Sequence, residues 1–190
     1  MKLNTTKYKG EVRIIVKDEN GKVIKKHKQS LRSFLKNFDH LLALSFASTL
    51  YLSSPIITLY DIDGNARDVY GVKFFTGDIT RLCLGSGTTP VSPDDYTMAS
   101  FIIRYKVSVF SYDPSTRTIK IRGSIVNDTT NTWNVNEVGV IISSTIFIDS
   151  AGNYSTYPFL VIRDVLDSTV VVEPGQSITV EFTITVTVSG

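Results

Sequence analysis

Ser177-Ile178-Thr179-Val180-Glu181-Phe182-Thr183-Ile184-Thr185-Val186-Thr187-Val188 alternates apolar and polar residues from Ile178 to Val188 without a break. Successive side chains of a strand point to opposite faces, so this period of two puts Ile178, Val180, Phe182, Ile184, Val186 and Val188 on one side. The other side is Glu181 among threonines. One buried face and one wet face is what a strand of an antiparallel sheet packed on a second sheet requires.

Upstream, Val138 to Phe147 and Ser155 to Arg163 read as strands, as do Phe101 to Ser111 and Thr118 to Val126 across the turn Tyr112-Asp113-Pro114-Ser115-Thr116. Asn127 to Asn136 is polar apart from Trp133 and Val135 and reads as a loop. Ile56 to Tyr60 and Val69 to Phe75 are strands joined by Asp61-Ile62-Asp63-Gly64-Asn65, a hairpin tip rather than a calcium loop, because Gly and carboxylate offsets of a helix-loop-helix site are not met. Glu11 to Lys17 and Lys22 to Lys26 form a hairpin across Asn20-Gly21. Ser30 is a candidate N-cap for a helix whose apolar stripe runs through Leu31, Phe34, Leu35, Phe38, Leu41, Leu42 and Phe46 and ends before Ser53-Ser54-Pro55. That helix either packs in the core or inserts into a partner.

About nine turn-marked strands and one helix predict a mainly β protein, an antiparallel two-sheet jelly-roll-like β-sandwich with one N-terminal amphipathic α-helix. The expected division is a basic hairpin plus helix over 1–54, packed on or docking a sandwich domain over 55–190. A chain of 190 residues with 42% hydrophobic and 20% charged content has enough apolar material for a core. The most apolar window, Leu41 to Leu52, is too short to span a bilayer as a helix, and we expect no transmembrane segment.

The net charge of +2 hides an asymmetry, since residues 1–40 hold eleven Lys and Arg against four Asp and Glu. Lys22, Lys25, Lys26 and Lys28 are therefore a candidate docking surface, the alternative being a solvated strand face. Aromatics do not interleave with them, and no nucleic acid partner is expected.

Chemistry has few starting points. His27 and His40 lack an accompanying nucleophile motif, and convergence of His27, His40 and Cys83 on a metal is not expected. Gly85-Ser86-Gly87-Thr88 lacks the lysine of a phosphate loop. The expectation is no enzyme, no cofactor and no metal. Trp133 with Tyr154 and Tyr157 forms a candidate sugar-stacking patch, weighed against a core Trp. Asn4, Asn127 and Asn153 stand in Asn-x-Ser/Thr sequences.

One loop interrupts the β pattern: Leu82-Cys83-Leu84-Gly85-Ser86-Gly87-Thr88-Thr89-Pro90-Val91-Ser92-Pro93-Asp94-Asp95, where two glycines and two prolines exclude a regular ladder. This loop, then Glu137-Val138-Gly139-Val140, then Phe159-Leu160-Val161-Ile162-Arg163, then Val172-Glu173-Pro174-Gly175-Gln176 before the final strand, resembles a family of phage and archaeal-virus tail, fibre and baseplate-type β-sandwich proteins. The resemblance covers roughly residues 70–190 and departs from the family at Ser143 to Tyr157, a longer excursion. It implies a virion component that self-assembles as a homo-oligomer and docks on other virion proteins. In that family Glu137 looks like a structural landmark. A glycan- or cell-surface-binding module is the alternative. Only two glutamines, Gln29 and Gln176, amid abundant Ile and Val point to a hot habitat, which with a viral origin favours an archaeal host.

Overall fold

The computed structural model describes residues 5–46, 57–73, 80–149 and 151–189. In chain order the elements are β1 (Thr5–Lys17), β2 (Val23–Leu31), α1 (Lys36–Phe46), β3 (Ile57–Tyr60), β4 (Ala66–Val69), β5 (Gly71–Lys73), β6 (Thr80–Gly85), β7 (Phe101–Lys106), β8 (Val109–Asp113), β9 (Thr118–Val126), β10 (Trp133–Phe147), β11 (Tyr154–Val172) and β12 (Ser177–Ser189).

The alternating strand β12 sits in the middle of its sheet. The first sheet has the order β2-β1-β12-β9-β8 and the second β11-β10-β6-β7, with β5 also pairing β10; β3 and β4 form a separate hairpin. Every pairing is antiparallel. Val12, Ile14 and Val16 of β1 and Ile178, Val180, Phe182 and Ile184 of β12 meet Leu82, Leu84, Val138, Val140, Phe159 and Val161 of the second sheet in one core. Each such side chain, fully buried, contributes roughly 1.5–3 kcal/mol. The architecture is mainly β and sandwich-like.

A third layer covers the outer face of the second sheet. Leu35 ahead of α1 and Met98 in the loop pack there on Cys83, Ile141 and Leu160, with Ile62 and Val91 at the margin. Burial pushes the Cys83 thiol well up, and the Glu137 charge adds to it.

Three tips share one turn. Asp18, Asp61 and Asp149 each accept backbone N–H bonds on Oδ1 from residues two and four ahead, at 2.9–3.1 Å. In each the residue three ahead is a glycine with φ of 79°, 81° or 84°, angles a side chain would strain.

Several expectations are corrected. Ser30 does not cap a helix: it lies in β2 opposite Glu11, and the helix starts at Lys36, as the third element of the chain after two strands. Gln29 is buried among polar groups and carries the strand to Leu31, so the apolar spacing from Leu31 is shared between a strand end and a helix. The helix is described to Phe46; its expected continuation to residue 52 lies outside the described residues. Phe101 to Ser111 is two strands, because the chain leaves the second sheet after Lys106 and enters the first at Val109. Strand β10 begins at Trp133 inside the expected loop, and β11 runs nine residues past Arg163, with register shifts on both sides of Glu137. The excursion from Ser143 to Tyr157 is the end of the β10–β11 hairpin, closed by the Asp149 turn. Residues 5–31 are integral to the first sheet, β1 pairing β12 from Thr5 opposite Ser189 to Lys17 opposite Ser177.

The two long sides of the sandwich differ. Along β11 the outward carbonyls are closed one after another: Ile62 N donates to Pro158 O, Asn37 Nδ2 to Leu160 O, Leu35 N to Val161 O and Ser33 Oγ to Arg163 O. Gln29 Nε2 continues the series to Val165 O and Lys25 Nζ to Thr169 O, tying β2 across to the second sheet. On the other side β7 and β8 are the last strands of their sheets, and among the described residues no pairing covers their outer edges.

Candidate functional site

Glu137 and Arg163 meet from neighbouring strands, β10 and β11, Glu137 at the start of the apolar run Val138 to Ile142 and Arg163 at the end of Phe159 to Ile162. Neither reaches solvent, at 0% and 2% exposure. Buried charges persist only when paired and hydrogen-bonded, and here both conditions hold. Arg163 Nε donates to Glu137 Oε2 at 2.7 Å, Nη1 to Asp95 Oδ2 at 2.6 Å and Nη2 to Thr89 O at 3.0 Å. Burial alone lowers the Arg163 affinity for its proton, but the Glu137 and Asp95 carboxylates outweigh it and hold the guanidinium charged.

The Glu137 carboxylate grips both ends of the loop. Its Oε1 accepts from Gly87 N at 3.1 Å and Ser100 N at 2.8 Å, and its Oε2 from Ala99 N at 3.2 Å. Ser86 N closes the neck on Ser100 O at 2.8 Å. Gly85 and Gly87 are required by this approach, since a Cβ on either would lie 2.4 Å or 2.6 Å from Glu137 Oε1. The Gly-Ser-Gly loop, Asp95, Glu137 and Arg163, distant in sequence, are thus one clamp. With no solvent access to Glu137 or Arg163, what the clamp does is fix the shape of residues 86–100.

That shape presents aromatic rings. Tyr96, beside the clamped Asp95, lies over Gly64, and its ring centroid is 6.0 Å from that of Tyr60. Tyr60, Tyr96 and Phe101 are exposed by 49%, 39% and 42%, beside an open depression of about 440 Å³ lined by Ile62, Asp63, Thr97, Ile103 and Arg104. The hairpin tip beneath is firm: Arg67 Nε donates to Asp61 Oδ2 at 2.8 Å. Burial works to raise the Asp61 carboxyl, but bonds from Asn65 and Arg67 leave it below the ordinary range.

The residues expected to form a sugar-stacking patch are not brought together. Trp133 is 6% exposed in the core, and Tyr154 pairs at the far end of β10, roughly 45 Å along the strand at about 3.3 Å per residue. Tyr157 lies under the Arg67 guanidinium, 4.1 Å from its ring centroid. Of the candidate docking lysines, Lys25 is engaged with Thr169 O and Lys28 with Glu11, while Lys22 and Lys26 are exposed. Asn127 is fully buried, its amide donating to Asn131 O and Val172 O, so a glycan does not fit on it in the folded chain. Asn153 is exposed, and Asn4 lies outside the described residues. Among the described residues no group of three or more His, Cys, Asp or Glu is placed to hold a metal, and no helix is long and apolar enough to cross a membrane.

The Gly-Ser-Gly loop, Asp95, Glu137 and Arg163 all stand out in the sequence, but nothing local joins them. The available signal was a charge bordering an apolar strand run, at Glu137 and at Arg163, with a Gly-rich loop to receive it. Tyr60, Tyr96 and Phe101 carry no such signal. The chain matches no protein-family model, and no curated protein or solved structure is significantly similar to it.

Proposed function

We propose that the chain is a virion structural protein of a phage or archaeal virus: a tail, fibre, spike or capsid-associated component that assembles with itself and docks on neighbouring virion proteins. The observation that supports this most is the clamp. The loop, the Glu-x-Gly strand and the stretch Phe159 to Arg163, three of the four stretches that carry the resemblance, are one physical unit, which makes their joint occurrence more than a coincidence of common turns. A jelly-roll winding belongs to the same reading. The pairing of β1 with β12 supports it, while the same-sheet hairpins β8–β9 and β10–β11 depart from it. A hot, archaeal setting is part of the proposal too.

Antibody-gold labelling of purified particles from the culture encoding the chain tests it. Gold confined to a tail, vertex or body is expected; unlabelled particles, with blots of denatured virions also negative, would sink the reading.

A second reading, a glycan- or cell-surface-binding module, is favoured by the Tyr60–Tyr96–Phe101 surface, whose rings pair apolar faces with polar neighbours. Its test is Tyr60→Ala with Tyr96→Ala on a glycan array, where unchanged signal would remove it.

A further inference from the structure

Strand β8 is an edge strand with an uncovered apolar face. Phe110 pairs opposite Ile121 and Tyr112 opposite Ile119, so both rings lie on the side of the first sheet that elsewhere forms the core. Yet Phe110 is 65% and Tyr112 57% exposed, because the second sheet does not reach over them. Edge strands are normally blunted by a charge, a proline or a cover. Val109-Phe110-Ser111-Tyr112 has none of these, the strand's one charge, Asp113, and the following Pro114 standing only at its end, whereas the β11 edge is closed carbonyl by carbonyl.

We propose that β8 pairs antiparallel with β8 of a second copy of this chain about a two-fold axis at Ser111, joining the two first sheets into one. This supplies the self-association that the virion reading calls for and rests on that reading only for its purpose in a particle.

Self-complementarity argues for a second copy as the occupant. Antiparallel pairing centred on Ser111 sets Phe110 opposite Tyr112 of the other chain, twice, making two cross-strand aromatic pairs on the inner face. On the outer face it sets Val109 opposite Asp113 of the other chain, and Val109 is the β9 neighbour of Arg122. Asp113 of each copy thus shares a rung with Arg122 of the other, about two strand spacings or ~9.6 Å away, within reach of a long basic side chain. The Asp113 carboxyl, held down to about 2 mainly by the Ser115 hydroxyl, is ionised at neutral pH. An edge of five residues is small, so the dimer is expected to be concentration-dependent in solution and reinforced by multivalency in an assembly.

Sedimentation equilibrium of the whole chain tests this. The expected result is reversible dimerisation of the 21.1 kDa chain, with the dissociation constant raised about tenfold or more by Phe110→Lys with Tyr112→Lys, at unchanged circular dichroism. Should that pair fail to fold, Ser111→Cys decides independently: mild oxidation yields a covalent dimer, while Ser30→Cys, exposed on the opposite edge strand, does not. A monomer at every concentration up to on the order of 100 μM, a dimer indifferent to both lysines, or equal crosslinking at Ser30 would overturn the proposal. Dimers in solution with unlabelled particles would sink the virion reading and leave this one; labelled particles built from a chain monomeric in solution would do the reverse.

Discussion

Truncating Arg163 leaves the Glu137 carboxylate buried without its cation, a situation that costs about 3–5 kcal/mol. At about 2–4 °C per kcal/mol for a chain of this size, Arg163→Ala is expected to lower Tm by roughly 6–20 °C. Limited proteolysis should then cut within residues 86–100, which are expected to stay intact in the parent. Replacing the pair together, Glu137→Gln with Arg163→Met, is expected to cost less than the sum of the single changes, because no fully buried charge is left alone and the part-exposed Asp95 keeps its bond from Ser92 N. Additive losses would mean that the two residues act separately. Both members were visible in the sequence as charges bordering apolar runs. Their partners were not, because Thr89 O and the N–H groups of Gly87, Ala99 and Ser100 are backbone atoms, equivalent in every sequence and distinguished only by the fold.

Between elements, the seam joining β2 to β11 turns on Gln29. It donates to Asp164 Oδ2 at 2.9 Å and Val165 O at 3.1 Å and accepts from Asp167 N at 3.0 Å. Gln29→Leu leaves these groups unsatisfied, at about 2–3 kcal/mol for the set. Amide exchange should rise at Val165 to Thr169 first, with β12 still protected; uniform deprotection would contradict a local seam. The central elements were legible: β12 and β1 declare a period of two, and the Asp18 and Asp61 tips announce themselves through glycine, whereas the Asp149 tip lay within the stretch Ser143 to Tyr157. What was hidden is long-range. Polar residues such as Gln29 and Asp164 belong to a strand side because a second sheet edge satisfies them, and Asn134 and Asn136 could not identify β10 from a local polar run. Likewise the kink at Val107-Ser108 separates β7 from β8 through sheet membership, which no local pattern encodes.

Across the whole molecule, two classes of carboxylate oppose each other in acid. Glu11 is held low first by Lys28, Asp113 to about 2 first by Ser115, and Asp149 first by Asn153, while bonds from Asn65 and Arg67 keep Asp61 low against its burial. Stability from these groups is complete above their unfolded pKa values near about 4 and is lost as pH falls through the lower folded values. Asp164 runs the other way: burial raises its carboxyl, the native state holds its proton more tightly, and its contribution grows as pH falls toward about 4. The urea midpoint is therefore expected to rise slightly from pH 7 toward about 4 and to drop steeply below. Asp164→Asn should abolish the rise and keep the drop; a rise that survives the substitution would reassign it to another group. Finally, β1 finds its place only against β12, with Thr5 opposite Ser189. Synthesis makes β1 first and β12 some 160 residues later, so on the ribosome the early hairpin waits with a bare inner edge for a strand not yet made. Folding of the first sheet is thereby tied to release of the late segment, and crowded neighbouring ribosomes offer that waiting edge its most dangerous substitute, the same strand of another nascent chain.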